Sequence, residues 1–220
     1  MKYEIIGSSS KGNCIVVEDK LMLDVGVAYS KIKKYLSNIK LIFISHAHLD
    51  HLLPSTIRKI AYNYPIIKFL TGSEVVVQKL IENGVNKNNI YILNPCKLFD
   101  LGILKLKLDL LVHDTPNYAL HFNINKKRGV YIVDTASVDN IDAKNYDLYL
   151  IESNYKEDIL QKHIDEVSHE DIGDLVYLNR VPLTHLSYEK ANDFLINNMG
   201  ENSQFEYLHQ SEYNFEKEEI

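Results

Sequence analysis

The stretch FISHAHLDHLLP (residues 43–54) sets three histidines and an aspartate within six positions, directly after an apolar run. Packing has no use for so many imidazoles at one point. A neutral imidazole is a common ligand for zinc and similar cations, and a carboxylate completes a site of mixed nitrogen and oxygen character. In the spacing H-x-H-x-D-H, His46 and His48 can close on one ion while Asp50 and His51 reach a second. KLIFIS, just upstream, reads as a buried strand, so the cluster sits at a strand's C-terminal end. That fixes the first ligand and leaves the following loop free to wrap around the ions.

Upstream, YEIIG and CIVVED flank the turn-rich SSSKGN as a strand–loop–strand unit. KLMLDVG reads as a third strand ending at Asp24 and Gly26. SKIKKYLSNI places Ile32, Tyr35, Leu36 and Ile39 on one helical face, with Ser30 as its cap. Downstream, PSTIRKIAYNY is helical after Pro54, IIKFLTG is a strand, and GSEVVVQKLIENG is a helix closed by Gly84. ILKLKLDLLVH alternates through Leu104, Leu106, Leu108 and Leu110, the mark of a half-buried strand. YALHFNINKKRGVYIVDTA is a hairpin turning at Lys126 to Gly129. YDLYLIES is a strand, and DILQKHIDEVSHEDIGDLVYLN forms one or two helices. VPLTHLS reads as a short strand, SYEKANDFLINNM as a helix capped by Ser187, and QFEYLHQ as a last strand. No repeat or linker interrupts this order. It suits two packed sheets with helices outside, as one domain over residues 1–210, with an acidic, frayed tail at 211–220.

The 220 residues are 45% hydrophobic and 25% charged, enough to bury a substantial core. A net charge of −6, from 24 basic and 30 acidic residues, argues against a broad basic surface for long duplex nucleic acid. It is compatible with a small anionic substrate, because bound divalent cations supply local positive charge. No apolar run is long enough to span a bilayer, and MKYEIIGSSSKGN turns polar by Gly7, unlike a secretory signal. Cys14 and Cys96 have no C-x-x-C spacing and read as reduced thiols. The expectation is a cytoplasmic protein without membrane contact.

Five features in chain order resemble the metallo-β-lactamase fold family of dinuclear metallohydrolases. They are Asp24 in LMLDVG, the HAHLDH motif, His113 in LLVHDT, Asp134 in YIVDTA and His185 in LTHLS. Within that superfamily GSSSKGNC, HDT, ESN and HLS resemble the bacterial and phage branch related to WalJ (also called YycJ), associated with exonuclease-like action on DNA. The resemblance implies an α+β fold, a four-layered αβ/βα sandwich. Two divalent cations, zinc or manganese with iron also compatible, would lie in a groove between the sheets. Carried over residue by residue, it implies that His46, His48 and His113 hold the first ion. Asp50, His51 and His185 would hold the second, with Asp134 bridging and Asp24 orienting the cluster from behind. Asp50 would also orient the attacking water or accept its proton. Many relatives pair to complete a groove, so a homodimer is compatible with the resemblance.

Taken singly, His113, Asp134 and His185 would read as a surface histidine, a turn carboxylate and a structural histidine. Their order relative to the first motif is what groups them. His121 reads as a strand residue and His209 as structural. His163 and His169 lie in a charged helical stretch whose default is a solvated face, although one of them would be placed to protonate a leaving group if it reached the groove. In SSSKGN, Ser10, Lys11, Asn13 and the backbone N–H groups suit a phosphate at the groove edge, although a simple turn also accounts for the composition. Ser153 and Asn154 occupy another strand end as candidate substrate contacts. The family pattern often continues there with His-Asp, where this chain has Tyr155 and Lys156.

Metal-assisted hydrolysis is the implied reaction class. Lactam cleavage is disfavoured, because Asp134 is present as a bridging carboxylate with no cysteine near it. Di-iron oxygen reduction is disfavoured too, since those relatives carry Glu where this chain has His48. A phosphodiester fits best, at a nucleic-acid end or in a nucleotide. The acidic charge and the roughly 50 residues between Asp134 and His185, too few for an inserted domain, point to a short substrate. Cyclic nucleotide cleavage of the phage anti-defence type is the runner-up, and thioester or lactone hydrolysis shares the ligand set. Outside enzymes, the alternative is a metal-stabilised binding module.

Overall fold

A computed structural model describes residues 1–95, 97–100, 102, 104–167 and 172–211. The first sheet follows chain order: β1 (Tyr3–Gly7), β2 (Cys14–Val17), β3 (Leu21–Leu23), β4 (Leu41–Phe43), β5 (Lys68–Thr71) and β6 (Ile90–Ile92). β1 to β3 run antiparallel, and β3 to β6 run parallel. The second sheet contains β7 (Phe99–Asp100), β8 (Leu104–Leu111), β9 (Asn117–Ile124), β10 (Lys127–Ile132), β11 (Leu148–Glu152) and β12 (Gln204–Leu208), again as successive neighbours. β7 to β10 are antiparallel and β10 to β12 parallel.

Successive strand side chains point to opposite faces, and both sheets use both faces. Ile15, Val17, Leu23 and Phe43 of the first sheet meet Leu106, Leu108, Phe122, Tyr131 and Leu150 of the second in a shared core. The outer face of the first sheet, including Val16, Met22, Ile42 and Phe69, packs on residues of α1 (Tyr29–Ile32), α2 (Pro54–Asn63) and α3 (Glu74–Glu82). Beyond the second sheet, α4 (Glu157–Glu166) and α5 (Ile172–Thr184) pair through Leu160, Leu178 and Val181. α6 (Tyr188–Asn198) covers Val130, Ile132, Tyr149 and Ile151 with Ala191, Phe194 and Leu195. Each fully buried Leu, Ile or Phe contributes about 1.5–3 kcal/mol relative to exposure. The result is the four-layered αβ/βα sandwich that the sequence implies.

Three local readings are corrected. The helix expected over SKIKKYLSNI is only Tyr29–Ile32, entered at Ala28 without a side-chain cap. Tight turns such as Tyr35 N–Ile32 O continue it and still bury Leu36 and Ile39. VPLTHLS is not a strand: α5 runs through Pro182 to Thr184, because Leu178, Val181 and Thr184 form one buried face. The hairpin between β9 and β10 turns at Asn125–Lys126, both with positive φ as a two-residue type I′ turn requires. Gly129 instead lies within β10, where a Cβ would sit 2.3 Å from the Phe122 ring. Cys96, His169 and residues 212–220 of the expected tail lie outside the described residues.

The parallel pairings decide where the chemistry collects. β3 and β4 end together, as do β10, β11 and β12. β8 shares their direction, because β8 and β10 are both antiparallel to β9. Six strand ends thus open on one edge of the sandwich.

Candidate metal centre

Asp24, Asp134 and His209 lie just past β3, β10 and β12, with φ of 57°, 51° and 51°. Left-handed φ is uncommon for residues that carry a Cβ and costs of order 1 kcal/mol. Here it takes each side chain out of its strand's alternation, Asp134 and His209 into one cleft and Asp24 behind it.

Asp134 is the hub. Its Oδ2 lies 3.4 Å from His46 Nε2, 3.1 Å from His51 Nε2 and 4.0 Å from His113 Nε2. Its Oδ1 lies 2.9 Å from His209 Nδ1 and 4.0 Å from His185 Nδ1. Three groups of potential ligand atoms share it, each within 4.8 Å: His46, His48, His113 and Asp134; Asp50, His51, Asp134 and His209; Asp134, Glu152, His185 and His209.

Buried polar groups hold these side chains from behind. Asp24 Oδ2 accepts from His51 Nδ1 at 2.6 Å and from the hydroxyls of Ser45 and Tyr131 at 2.8 and 2.7 Å, while Oδ1 accepts from Ser45 N. His113 Nδ1 meets the Thr184 carbonyl at the end of α5 at 3.0 Å. Glu152, fully buried, meets His185 Nδ1 at 2.6 Å and His209 Nδ1 at 3.1 Å through Oε1, and accepts from Thr135 N and Leu186 N through Oε2. Such partners fix imidazole tautomer and direction in metal sites. The loop carrying Asp50 is clamped by Asn13, whose backbone N–H donates to Asp50 O at 2.7 Å and whose amide donates to Asp50 Oδ2 at 3.2 Å. Gly26 makes that approach possible, since a Cβ there would lie 1.6 Å from Asp50 O.

The donor set fits divalent cations. Among the described residues, His46 Nε2 and His209 Nε2 are buried without a hydrogen-bond partner, and buried polar atoms rarely remain so. Burial pushes the pKa of His46 well below that of free imidazole, and the neighbouring His51 adds to the effect. His113 is lowered as well, chiefly by burial. Burial alone would lower His51 and His209 too, but Asp134, with Asp24 beside His51, holds both well above the ordinary value. Burial would likewise raise Asp134 and Asp50; the adjacent His209 and His51 hold both carboxyls well below their usual range. Three carboxylates, Asp50, Asp134 and Glu152, converge on these imidazoles, a mixed nitrogen and oxygen donor set suited to divalent cations.

The residues expected from the sequence divide into groups. His46, His48, Asp50, His51, His113, Asp134 and His185 all gather at the cleft, and Asp24 lies behind His51. Ser10 lines the cleft, and Lys11 lines an adjoining cavity. Asn13, Ser153 and Asn154 are buried: Asn13 holds the Asp50 loop, and Asn154 donates to His209 O at 2.9 Å. His163 sits on α4, outside the residues lining the cleft, and His121 pairs with Asp109 on the second sheet. Sequence reasoning missed Glu152 and His209. Both follow the rule that exposed the others, a polar residue at or just past a strand's C-terminal end, in YLIES and EYLHQ.

The cleft, about 270 Å³, is completed by Asp114, Tyr177, Arg180, Val181 and Thr184. Asp114 lies 3.3 Å from the Nε2 atoms of both His48 and His113, and pairs with Arg180 of α5.

Neither a protein-family model nor a curated protein matches the sequence. Solved structures do. The metallo-β-lactamase fold protein YhfI from Bacillus subtilis aligns with a TM-score of 0.70 at 15% identity, over 97% of this chain and 87% of that one. The short form of human tRNase Z aligns with a TM-score of 0.68 at 14% identity, over 96% and 93%. Zn²⁺-bound PqqB from Methylobacterium extorquens aligns with a TM-score of 0.64 at 11% identity, over 97% and 90%. Such identities speak to the backbone, and the chain has the metallo-β-lactamase fold.

Proposed function

We propose that the protein is a metal-dependent hydrolase with two divalent cations, zinc or manganese, acting on phosphodiesters at nucleic-acid ends or in nucleotides. The observation that carries this reading is buried Asp134 as common vertex of the two ligand groups formed with the HAHLDH motif. His46, His48 and His113 complete one group. Asp50 and His51 complete the other with His209 rather than His185, the partner that the resemblance implies. Bound there, two divalent cations supply the Lewis acidity that activates water and neutralises charge on an attacked phosphate.

The remaining steps fall to the chain. Asp50, partly exposed at the cleft and anchored by Asn13, orients the attacking water and takes its proton. His185 lines the same cleft with Nδ1 committed to Glu152, which leaves Nε2 to give a proton to the departing oxygen. Arg180, at the rim, meets negative charge on the substrate. The phosphodiester assignment draws on Arg180 at the cleft rim, on the backbone likeness to tRNase Z, and on the likeness of GSSSKGNC and HLS to the WalJ-related branch.

The test is a substrate panel on protein of measured metal content. It comprises bis(p-nitrophenyl) phosphate, 3′,5′-cyclic nucleotides, short single-stranded DNA and an acyl thioester, each with zinc or manganese. Turnover of the phosphate diesters, abolished by Asp134→Ala with the fold intact, supports the reading. Cleavage of the thioester alone refutes it.

A further inference from the structure

A second cavity, about 470 Å³, adjoins the cleft and shares Ser10 and Asp50 with it. Its wall is the opening loop and its surroundings: Ser9, Ser10, Lys11 and Gly12 on one side, Val27 and Lys31 at the start of α1 on another, and Leu49 of the HAHLDH loop. The volume lies in the range of small-ligand pockets.

The charge in this wall is unusual for so acidic a chain. Lys2 and Lys34, which do not line it, are paired with Asp19 and Glu4. Lys11 and Lys31 have no ion pair among the described residues, and Asp50 is the only acidic residue lining the cavity. Asp50 itself belongs to the metal cluster. Two lysines and two serines therefore line a space that borders the metal centre at Ser10 and Asp50. Leu49 is 64% exposed there, an apolar surface against which a sugar or base can rest. Ammonium and hydroxyl donors around an open volume are the complement of a phosphate group.

We infer that this cavity is a second-phosphate subsite: the enzyme takes a nucleotide chain whose scissile diester sits at the metals while a neighbouring phosphate sits between Lys11 and Lys31. This rests on the phosphodiesterase reading and narrows it. A 3′,5′-cyclic mononucleotide has no second phosphate to offer. A 5′-phosphorylated dinucleotide or a longer single strand does. Asp50 links the two spaces, so a chain held at both places has its scissile bond positioned by the flanking charge. The subsite also reconciles an acidic protein with a nucleic-acid substrate, since two local cations suffice for one terminus where long duplex would need a broad basic face.

The experiment compares two thymidine dinucleotides on metal-loaded protein, TpT and its 5′-phosphorylated form pTpT, with bis(p-nitrophenyl) phosphate as a diester lacking any flanking group. Wild-type protein should favour pTpT over TpT by about tenfold or more in kcat/KM. In Lys11→Ala/Lys31→Ala that ratio should fall toward one, and Lys11→Arg/Lys31→Arg should restore it. A wild-type ratio near one, or a ratio that survives removal of both ammonium groups, overturns the subsite. Binding is read apart from turnover by calorimetry with phosphorothioate-linked TpT and pTpT, whose linkage resists hydrolysis. If every diester is inert, the catalytic reading fails while the calorimetric ratio still decides the subsite. Equal affinities for the two compounds then refute it.

Discussion

Tyr131 donates its phenolic hydrogen to Asp24 Oδ2 at 2.7 Å, joining a β10 side chain of the second sheet to a carboxylate at the end of β3 in the first. His51 Nδ1 meets the same oxygen at 2.6 Å. Core packing and ligand orientation thus converge on one buried atom. Asp24→Asn should weaken metal affinity by about 10–100-fold, the usual cost of removing such a support. Tyr131→Phe should cost about 1 kcal/mol of stability, one buried hydrogen bond. Competition with a chromogenic chelator reads the first and urea unfolding the second. Unaltered metal affinity in Asp24→Asn would refute its orienting role.

His209 and His185 are separable by stoichiometry. His209→Ala should leave the protein with one tightly held metal equivalent in place of two. His185→Ala should keep both equivalents and lose about 10²–10⁴ in turnover, the range for a missing general acid. Elemental analysis of desalted protein distinguishes them. Loss of a metal in His185→Ala with retention of both in His209→Ala would reverse the assignment.

Gly26→Ala should displace the Asp50 loop, because the new Cβ would fall 1.6 Å from Asp50 O, a backbone atom that can give way only with its loop. The expected cost is about 3 kcal/mol, with loss of metal binding. Gly173→Ala in α5 is the control: nothing among the described residues lies within 4 Å of its Cβ position, and alanine favours a helix. Thermal melts of the two variants should shift in opposite directions.

Away from the cleft, Asp109 is buried between Lys107 Nζ at 2.9 Å and His121 Nε2 at 2.9 Å. Burial would raise its pKa, but hydrogen bonds from His121 and Lys107 hold it below the usual carboxylate value. A depressed pKa contributes stability above the unfolded-state value, near 3.9 for Asp, and loses it as pH falls through the folded value. Asp109→Asn should therefore cost about 1–2 kcal/mol at pH 7 and distinctly less at pH 3. Urea midpoints at the two pH values check this, and an equal penalty at both would exclude an ionic contribution.

Much of the molecule was legible in the order of its residues. Period-two alternation marked β8, and the apolar runs ending in Asp24, Ser45 and Asp134 marked strands that open on a polar edge. H-x-H-x-D-H announced a metal centre because local spacing alone brings its four side chains near one another. α5 misled, since Val-Pro-Leu carries a strand-like local signal that burial of Leu178, Val181 and Thr184 along one helical face overrides.

Local spacing determined which residue types could hold a metal ion and, for Asp24, the HAHLDH motif, His113 and Asp134, at which strand ends they would appear. Only tertiary structure decided which histidine joins Asp50 and His51, because His185 and His209 reach the cleft from different elements and neither is near the motif in sequence. The same holds for Glu152, an ordinary strand residue in sequence, which becomes an anchor for both imidazoles once β11 is set between β10 and β12. Long-range pairing geometry, not composition, chooses among candidates of identical chemistry.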